Sequence, residues 1–222
     1  MSNRFAILTG AGSGIGRATA QVLAERGYDV GLTYGKNVDG VERTADAVRA
    51  QGQRAFVAQM QLEAPDSIGR AIDQLSNELG GLDALVNNAG LLDFQSFLDL
   101  SLDRWRRVID CNLTGTFIAG QAAARRMVAN STAGRIVNVS SVHEMVPLLH
   151  ATAYCSSKAG TGGASGLERS RTRGHSGEQW GLYGSIDAVK PADPVECMHF
   201  RFTESFGLVF GTMAIFAVAL TR

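Results

Sequence analysis

The sequence predicts an α/β fold with a doubly wound parallel sheet that carries helices on both faces. Up to about residue 160, short runs rich in Val, Ile and Leu alternate with longer segments of helical period. Strands joined by helix-length crossovers lie parallel, with right-handed connections. The runs are apolar throughout rather than alternating with polar residues, as strands buried on both faces require.

Strand and helix segments follow one another in order. The apolar runs predicted as strands lie at residues 4–9, 29–34, 54–59, 82–87 and 135–140. The segments predicted as helices lie at residues 14–26, 41–50, 67–79 and 102–129, the last being one long helix with room for breaks. A further helix starts near Tyr154. This order is typical of a Rossmann-type sheet within one α/β domain.

The composition is that of a soluble globular protein, and it limits the kinds of partner. Of the 222 residues, 45% are hydrophobic and 19% are charged. Lys+Arg and Asp+Glu are equal at 21 each, without a basic cluster, so we expect no nucleic-acid partner. The apolar stretch 206–220 is too short to span a membrane, so we expect a buried segment and no membrane partner.

Cysteine usage and the first residues favour the cytoplasm. Cys111, Cys155 and Cys197 are too few and too scattered for a disulfide framework, and no pair has zinc-site spacing. We therefore expect reduced thiols and no metal site. Residues 1–10 run directly into a strand pattern and lack signal-peptide architecture.

A glycine turn follows the first strand and opens the first helix. Glycines let the backbone turn sharply and let a pyrophosphate approach the helix N-terminus, where N–H groups and the helix dipole favour negative charge. The Gly-x3-Gly-x-Gly spacing of Gly10, Gly14 and Gly16 differs from the common G-x-G-x-x-G. A tight turn that binds nothing is the alternative, and the position after the first strand favours dinucleotide binding.

Further motifs follow in order along the chain. Asn87-Asn88-Ala89-Gly90 ends the fourth strand, Asn112 lies in Cys-Asn-Leu-Thr-Gly, and Ser140-Ser141 ends the fifth strand. Tyr154 and Lys158 then form Tyr-x3-Lys, thirteen residues after Ser141. With the glycine turn, this series resembles the short-chain dehydrogenase/reductase family over about residues 3–160. Residues 139–144 are similar to glucose 1-dehydrogenase-like members.

The resemblance implies a catalytic tetrad, which consists of Asn112, Ser141, Tyr154 and Lys158. Tyr154 would be the general acid/base, and Ser141 would hydrogen-bond the substrate oxygen. Lys158 would also bind the nicotinamide ribose, and Asn112 would hold a water that links Lys158 to solvent. A helical spacing of four puts Tyr154 and Lys158 on one face. An ammonium about 4 Å from a phenolate stabilises it by ~4 kcal/mol at an effective dielectric constant of 20.

The resemblance also implies a nicotinamide dinucleotide cofactor. An acid at the end of the second strand is usual for NAD, whereas this chain has Lys36 there, which favours the 2′-phosphate of NADP over NAD. Gln61 replaces the family's adenine-binding aspartate, and its amide oxygen can still accept a hydrogen bond. The predicted cofactor-binding residues are Gly10, Gly12, Ser13, Gly14, Ile15, Gly16, Tyr34, Lys36, Gln61, Leu62, Asn88, Ala89, Gly90, Tyr154 and Lys158.

After Gly160 the resemblance stops, so we divide the chain into a core at 1–160 and an atypical segment at 161–222. Residues 160–184 hold eight glycines, a composition that disfavours a helix. The family's Ile-Arg-Val-Asn strand and Pro-Gly turn are not found there. The codons of residues 175–179, His-Ser-Gly-Glu-Gln, permit Ile-Arg-Val-Asn when read one base later. We hypothesise that residues from about 161 onward are out of frame, which would remove the normal last strands. A divergent C-terminal region is the alternative.

Two functions remain open from the sequence. The first is an NAD(P)-dependent oxidoreductase acting on a small alcohol or carbonyl compound, with neither His143 nor His150 given a catalytic role. The second is an inactive, frameshifted family member that at most binds a dinucleotide. Members of the family are usually homodimers or homotetramers, an assembly that an out-of-frame tail would disfavour.

Overall fold

A computed structural model describes residues 4–171, with residues 164–171 given as helix backbone only. The strands of this part of the chain are β1 (Arg4–Leu8), β2 (Tyr28–Tyr34), β3 (Ala55–Gln59), β4 (Ala84–Asn87) and β5 (Arg135–Asn138). The α-helices are α1 (Gly14–Glu25), α2 (Val38–Arg49), α3 (Pro65–Leu79), α4 (Leu102–Ile109), α5 (Gly115–Ala129) and α6 (Thr152–Arg171).

The five strands form one parallel sheet in the order β3-β2-β1-β4-β5. The chain winds outward from β1 to β3, then returns to the other side of β1 for β4 and β5. The predicted Rossmann-type, doubly wound sheet is therefore confirmed. Within residues 4–171, β5 pairs with β4 alone. The predicted loss of the normal last strands concerns residues 172–222 and lies outside the described residues.

Helices cover both faces of the sheet and bury an apolar core on each. Successive residues of β1 point to opposite faces, so Ile7 packs on the side of α3 and α5 while Leu8 packs on the side of α1 and α2. Leu75 on α3 and Leu23 on α1 are among the buried residues of the two cores. Two-sided burial explains why the strands are apolar without alternation.

Two helices begin earlier than predicted because of the residues at their starts. Helix α2 begins at Val38 rather than residue 41, since the Asn37 side chain accepts a hydrogen bond from the Gly40 backbone N–H at 3.0 Å. Helix α3 begins at Pro65, a residue that suits the first turn of a helix because it has no N–H to satisfy.

The predicted long helix at 102–129 is interrupted once. A single π-helical turn, Asp110–Thr114, separates α4 from α5 and carries Asn112 into the interior, where the residue is 1% exposed. A π turn inserts one extra residue into a helix and is common where side chains are aimed into a site.

Helix α6 continues to Arg171, so the expectation that the glycine-rich residues 160–184 disfavour a helix was wrong for residues 160–171. Tertiary packing explains the difference. A Cβ atom at Gly160 would lie 2.9 Å from the Leu113 side chain, and one at Gly162 would lie 3.1 Å from Glu144 Oε2. At Gly160 and Gly162, α6 thus packs closely on its neighbours, whereas an added Cβ at Gly163 would meet nothing within 4 Å.

Candidate active site

The predicted site residues lie where the parallel strands end at one edge of the sheet. The glycine turn follows β1, Lys36 follows β2, Gln61 follows β3, Asn88 follows β4 and Ser141 follows β5. The reversal of winding falls between β1 and β4. In open α/β sheets, ligands bind in the crevice at that position.

The glycine turn has the shape that a diphosphate needs. Gly14 has φ +50° and open space where a Cβ would stand, and Ser13, Gly14 and Ile15 are exposed. A Cβ at Gly16 would lie 2.2 Å from the Gly10 carbonyl oxygen, so no larger residue fits there. No side chain caps α1 at Ser13, whereas Asn37 caps α2. The N-terminus of α1 is thus open to an anion.

The loop after β4 is tied to the glycine turn. Thr9 Oγ1 accepts hydrogen bonds from the backbone N–H groups of Asn88 and Ala89, both at 3.0 Å. Asn88 Nδ2 donates to the carbonyl oxygens of Thr9 and Gly10 at 3.0 and 3.1 Å. The amide of Asn88 therefore holds the turn itself, and Thr9 is a positioning residue that the motif spacing did not single out.

Two basic residues flank the outer side of the glycine turn. Lys36 is exposed next to Asn37, whose Nδ2 donates to the Gly12 carbonyl oxygen at 3.3 Å. Arg17 Nη2 donates to the same carbonyl at 3.0 Å. Nε of Arg17 is the one buried side-chain polar atom without a hydrogen-bond partner among residues 4–163. Arg17 was missed because the glycine motif alone gives no signal for it.

The residues predicted at the adenine side also lie at this edge. Tyr34 is the last residue of β2 and is partly buried. Gln61 lies in the turn after β3 with its side chain exposed. Leu62 packs against the core on the side of α3 and α5, and a Cβ at Gly115 would lie 2.9 Å from its carbonyl oxygen. The glycine turn and these residues together fit a dinucleotide.

Asn112 joins the loop after β4 to helix α6. Its Oδ1 accepts from the Leu91 N–H at 2.6 Å, and its Nδ2 donates to the Leu91 carbonyl at 2.8 Å. Nδ2 also donates to Ser157 Oγ at 3.0 Å, and Ser157 Oγ donates to the Tyr154 carbonyl at 2.7 Å. The Asn112 backbone carbonyl accepts from Thr116 Oγ1 at 2.7 Å. Ser157 is another positioning residue that the motif did not indicate.

The remaining predicted catalytic residues are Lys158, Tyr154 and Ser141. Lys158 is 6% exposed, and its Nζ donates to the Val139 carbonyl at 2.8 Å and lies 5.8 Å from the centroid of the Tyr154 ring. A Cβ at Gly90 would lie 3.7 Å from the same Nζ. Ser141 Oγ accepts from the His143 N–H at 3.2 Å, which leaves its own hydroxyl hydrogen for another acceptor.

Burial governs the charge state of Lys158. Desolvation lowers the pKa of Lys158 to about 8 from 10.5, and the nearby Cys111 and Glu144 charges oppose that change. Burial also raises the pKa of the Cys111 thiol to about 11, so this cysteine stays protonated at neutral pH. Among residues 4–163, Cys111 and Cys155 are free thiols and no cluster of His, Cys, Asp and Glu could hold a metal ion.

The sheet topology, with the predicted site residues at the ends of the parallel strands, is that of a dinucleotide-binding α/β fold. The chain belongs to the short chain dehydrogenase family, which it matches over residues 4–170. It is 40% identical over 160 residues to the uncharacterized oxidoreductase YohF of Escherichia coli, covering 72% of this chain and 63% of that protein. It is 32% identical over 161 residues to glucose 1-dehydrogenase 2 of Bacillus subtilis, covering 72% and 62%. The predicted family is confirmed, and the chain spans less than two thirds of either relative.

Solved structures agree with this membership. Acetoin dehydrogenase from Enterobacter cloacae superposes with a TM-score of 0.72 at 41% identity, covering 77% of this chain and 68% of that one. A short chain dehydrogenase from Burkholderia cenocepacia in complex with NADP superposes with a TM-score of 0.72 at 33% identity, covering 81% and 71%. No helix among the described residues is both long and apolar enough to cross a bilayer.

Proposed function

We propose that the protein is an NAD(P)-dependent oxidoreductase that interconverts a small alcohol and its carbonyl compound. The observation that carries the proposal is the placement of Lys158 Nζ 5.8 Å from the Tyr154 ring at the edge that holds the open glycine turn. Bound there, the nicotinamide would supply or accept the hydride, which is chemistry of the cofactor and not of the protein.

The side chains would move the proton and hold the reacting oxygen. Tyr154 would give its hydroxyl proton to the substrate oxygen in reduction and take it back in oxidation. The Lys158 ammonium would stabilise the phenolate, because an adjacent positive charge favours an anion. Ser141 would donate its hydroxyl hydrogen to the same oxygen as charge develops there. Asn112 would hold Leu91 and α6 in place, and its water-binding role stays a prediction.

We further propose that the protein prefers NADP to NAD. The 2′-phosphate would meet the exposed Lys36, which lies beside the glycine turn. A relative from Burkholderia cenocepacia binds NADP, which supports this preference. Thermal stabilisation by NADPH should therefore exceed that by NADH at equal concentration, since ligand binding to the folded state raises stability with affinity.

Replacement of Tyr154 by Phe tests the proposed chemistry. The full chain is assayed by NADPH absorbance with small ketones, and by NADP reduction with the alcohols. We expect Tyr154→Phe to abolish turnover while NADPH still raises the melting temperature, because the substitution removes the proton donor and leaves the glycine turn intact. Turnover in Tyr154→Phe equal to that of the unaltered chain would contradict the assignment.

The sequence also left a second candidate, an inactive family member that binds a dinucleotide. The loss of the family's motifs after Gly160 favours it. Stabilisation by NADPH without any turnover would support this candidate. The proposal of an NAD(P)-dependent oxidoreductase includes a cytoplasmic location and small-molecule substrates. The oligomeric state stays a prediction.

A further inference from the structure

His143 stands beside the proposed acid/base without a part in the proton transfer. It lies in a short 3-10 turn, Val142–Glu144, that begins directly after Ser141. The centroid of its ring is 6.5 Å from that of Tyr154, with an angle of 67° between the two ring planes. His143 is partly exposed.

One hydrogen bond determines which ring nitrogen can receive a substrate. His143 Nδ1 lies 2.9 Å from the Val146 carbonyl oxygen. A carbonyl oxygen only accepts, so Nδ1 must carry the hydrogen. In a neutral imidazole the other nitrogen, Nε2, then has a lone pair and acts as an acceptor. Nε2 has no hydrogen-bond partner among the described residues.

We propose that His143 is a specificity-determining residue that accepts a hydrogen bond from a hydroxyl group adjacent to the reacting carbonyl. The proposal rests on the dehydrogenase function above and names its substrate class, which is α-hydroxy ketones and the vicinal diols formed from them. Because Ser141 and Tyr154 hold the reacting oxygen, an acceptor on the ring beside Tyr154 reaches the next oxygen of the substrate. Reduction adds a hydride from NAD(P)H to the carbonyl carbon and the Tyr154 proton to its oxygen.

The surroundings favour alkyl groups on the rest of the substrate. Met145 and Leu149, in the same loop as His143, are 66% and 78% exposed. The backbone N–H of Gln95 donates to the His150 carbonyl at 2.7 Å, which brings the segment with Leu92 and Phe94 against this loop. These exposed apolar side chains lie in the two segments around His143, and a small hydroxy ketone suits them better than a polyol covered with hydroxyl groups.

The test compares 3-hydroxybutan-2-one with butan-2-one, which differ only in the adjacent hydroxyl. We expect the full chain to show a higher kcat/KM for the hydroxy ketone. His143→Asn keeps a nitrogen donor near the Nδ1 position but does not reach the position of Nε2, so the ratio of the two kcat/KM values should fall about tenfold, the effect of one hydrogen bond. His143→Gln reaches further with an amide oxygen and should retain most of the preference.

Controls separate this inference from the dehydrogenase function on which it rests. His150→Asn alters an exposed histidine of the same loop and should leave the ratio as it is. Saturation-transfer NMR with both ketones gives a readout that needs no turnover, and binding should follow the same order. An unchanged ratio in His143→Asn, or no preference in the unaltered chain, overturns the inference alone. If the full chain turns over neither these two ketones nor any other small ketone or alcohol, the dehydrogenase function is overturned, and the inference with it.

Discussion

At the scale of single residues, Lys158 is buried, which disfavours the charged form of its amine. The side chain is 6% exposed, and burial lowers its pKa to about 8. A buried ammonium costs free energy unless it is paired, and the Val139 carbonyl is the one hydrogen-bond acceptor it reaches among residues 4–163. Strongly shifted pKa values cluster at functional sites, which agrees with the role proposed for Lys158.

A pH series on the cofactor-free protein measures the free-energy cost of burying the Lys158 ammonium. The unfolded chain keeps the Lys158 proton up to about pH 10.5, whereas the folded protein loses it near pH 8. Between these values unfolding takes up a proton, so a higher pH favours the folded state. We expect the unaltered chain to gain on the order of 3 kcal/mol relative to Lys158→Met across this window. Urea denaturation at several pH values gives the difference.

The comparison with Lys158→Met is needed because Cys111 titrates nearby. The pKa of Cys111 is raised from 9.0 to about 11, so unfolding releases a proton between those values and a higher pH there favours the unfolded state. Both proteins contain Cys111, and its contribution largely cancels in the difference. A difference that stays constant from pH 7 to pH 10.5 would show that Lys158 is not desolvated.

The identities of the site residues were predictable where their spacing along the sequence determines whether they lie close together. The interval of four between Tyr154 and Lys158 brings them together on α6, as the spacing predicts. Asn112 was also identified, but its contacts were not, because the bonds to Leu91 and Ser157 depend on a π turn and on packing between distant segments. Arg17 and Thr9 act through backbone carbonyls and N–H groups, which leave no side-chain pattern in the sequence.

At the scale of elements, the glycine turn depends on one close backbone contact. A Cβ at Gly16 would lie 2.2 Å from the Gly10 carbonyl oxygen and 2.8 Å from Asn88 Nδ2. Gly16→Ala should therefore destabilise the protein by about 2–4 kcal/mol and remove stabilisation by NADPH. Gly69→Ala on α3 is the matched control. No atom lies within 4 Å of its added Cβ, so it should stabilise the helix by ~0.5–1 kcal/mol. Equal melting temperatures for both variants would contradict this account.

The elements themselves were largely predictable because two-sided burial leaves a clear pattern. The strand β2 was predicted at residues 29–34 and spans Tyr28–Tyr34. The start of α2 was predicted three residues late, since the Asn37 cap is a side-chain contact rather than a periodicity. The glycine-rich composition after Gly160 disfavours a helix by intrinsic propensity, yet α6 continues to Arg171.

At the scale of the whole molecule, the reading frame of the gene determines which residues follow the Rossmann core. The family match reaches residue 170, and α6 extends beyond the domain boundary predicted at residue 160. Sequencing the gene across codons 155–185 tests the out-of-frame hypothesis. We expect the next reading frame to encode Ile-Arg-Val-Asn and then a Pro-Gly turn. Their absence from that frame would favour a divergent C-terminal region.

The contacts of Asn112 have a mechanical consequence for the whole site. Hydrogen bonds run from Thr9 through Ala89, then from Leu91 through Asn112 to Ser157 and the backbone of Tyr154. The glycine turn and the helix that carries Tyr154 are thus joined by one network of hydrogen bonds. Their relative placement is set during folding, so a cofactor and a substrate that bind as proposed would meet an already assembled geometry.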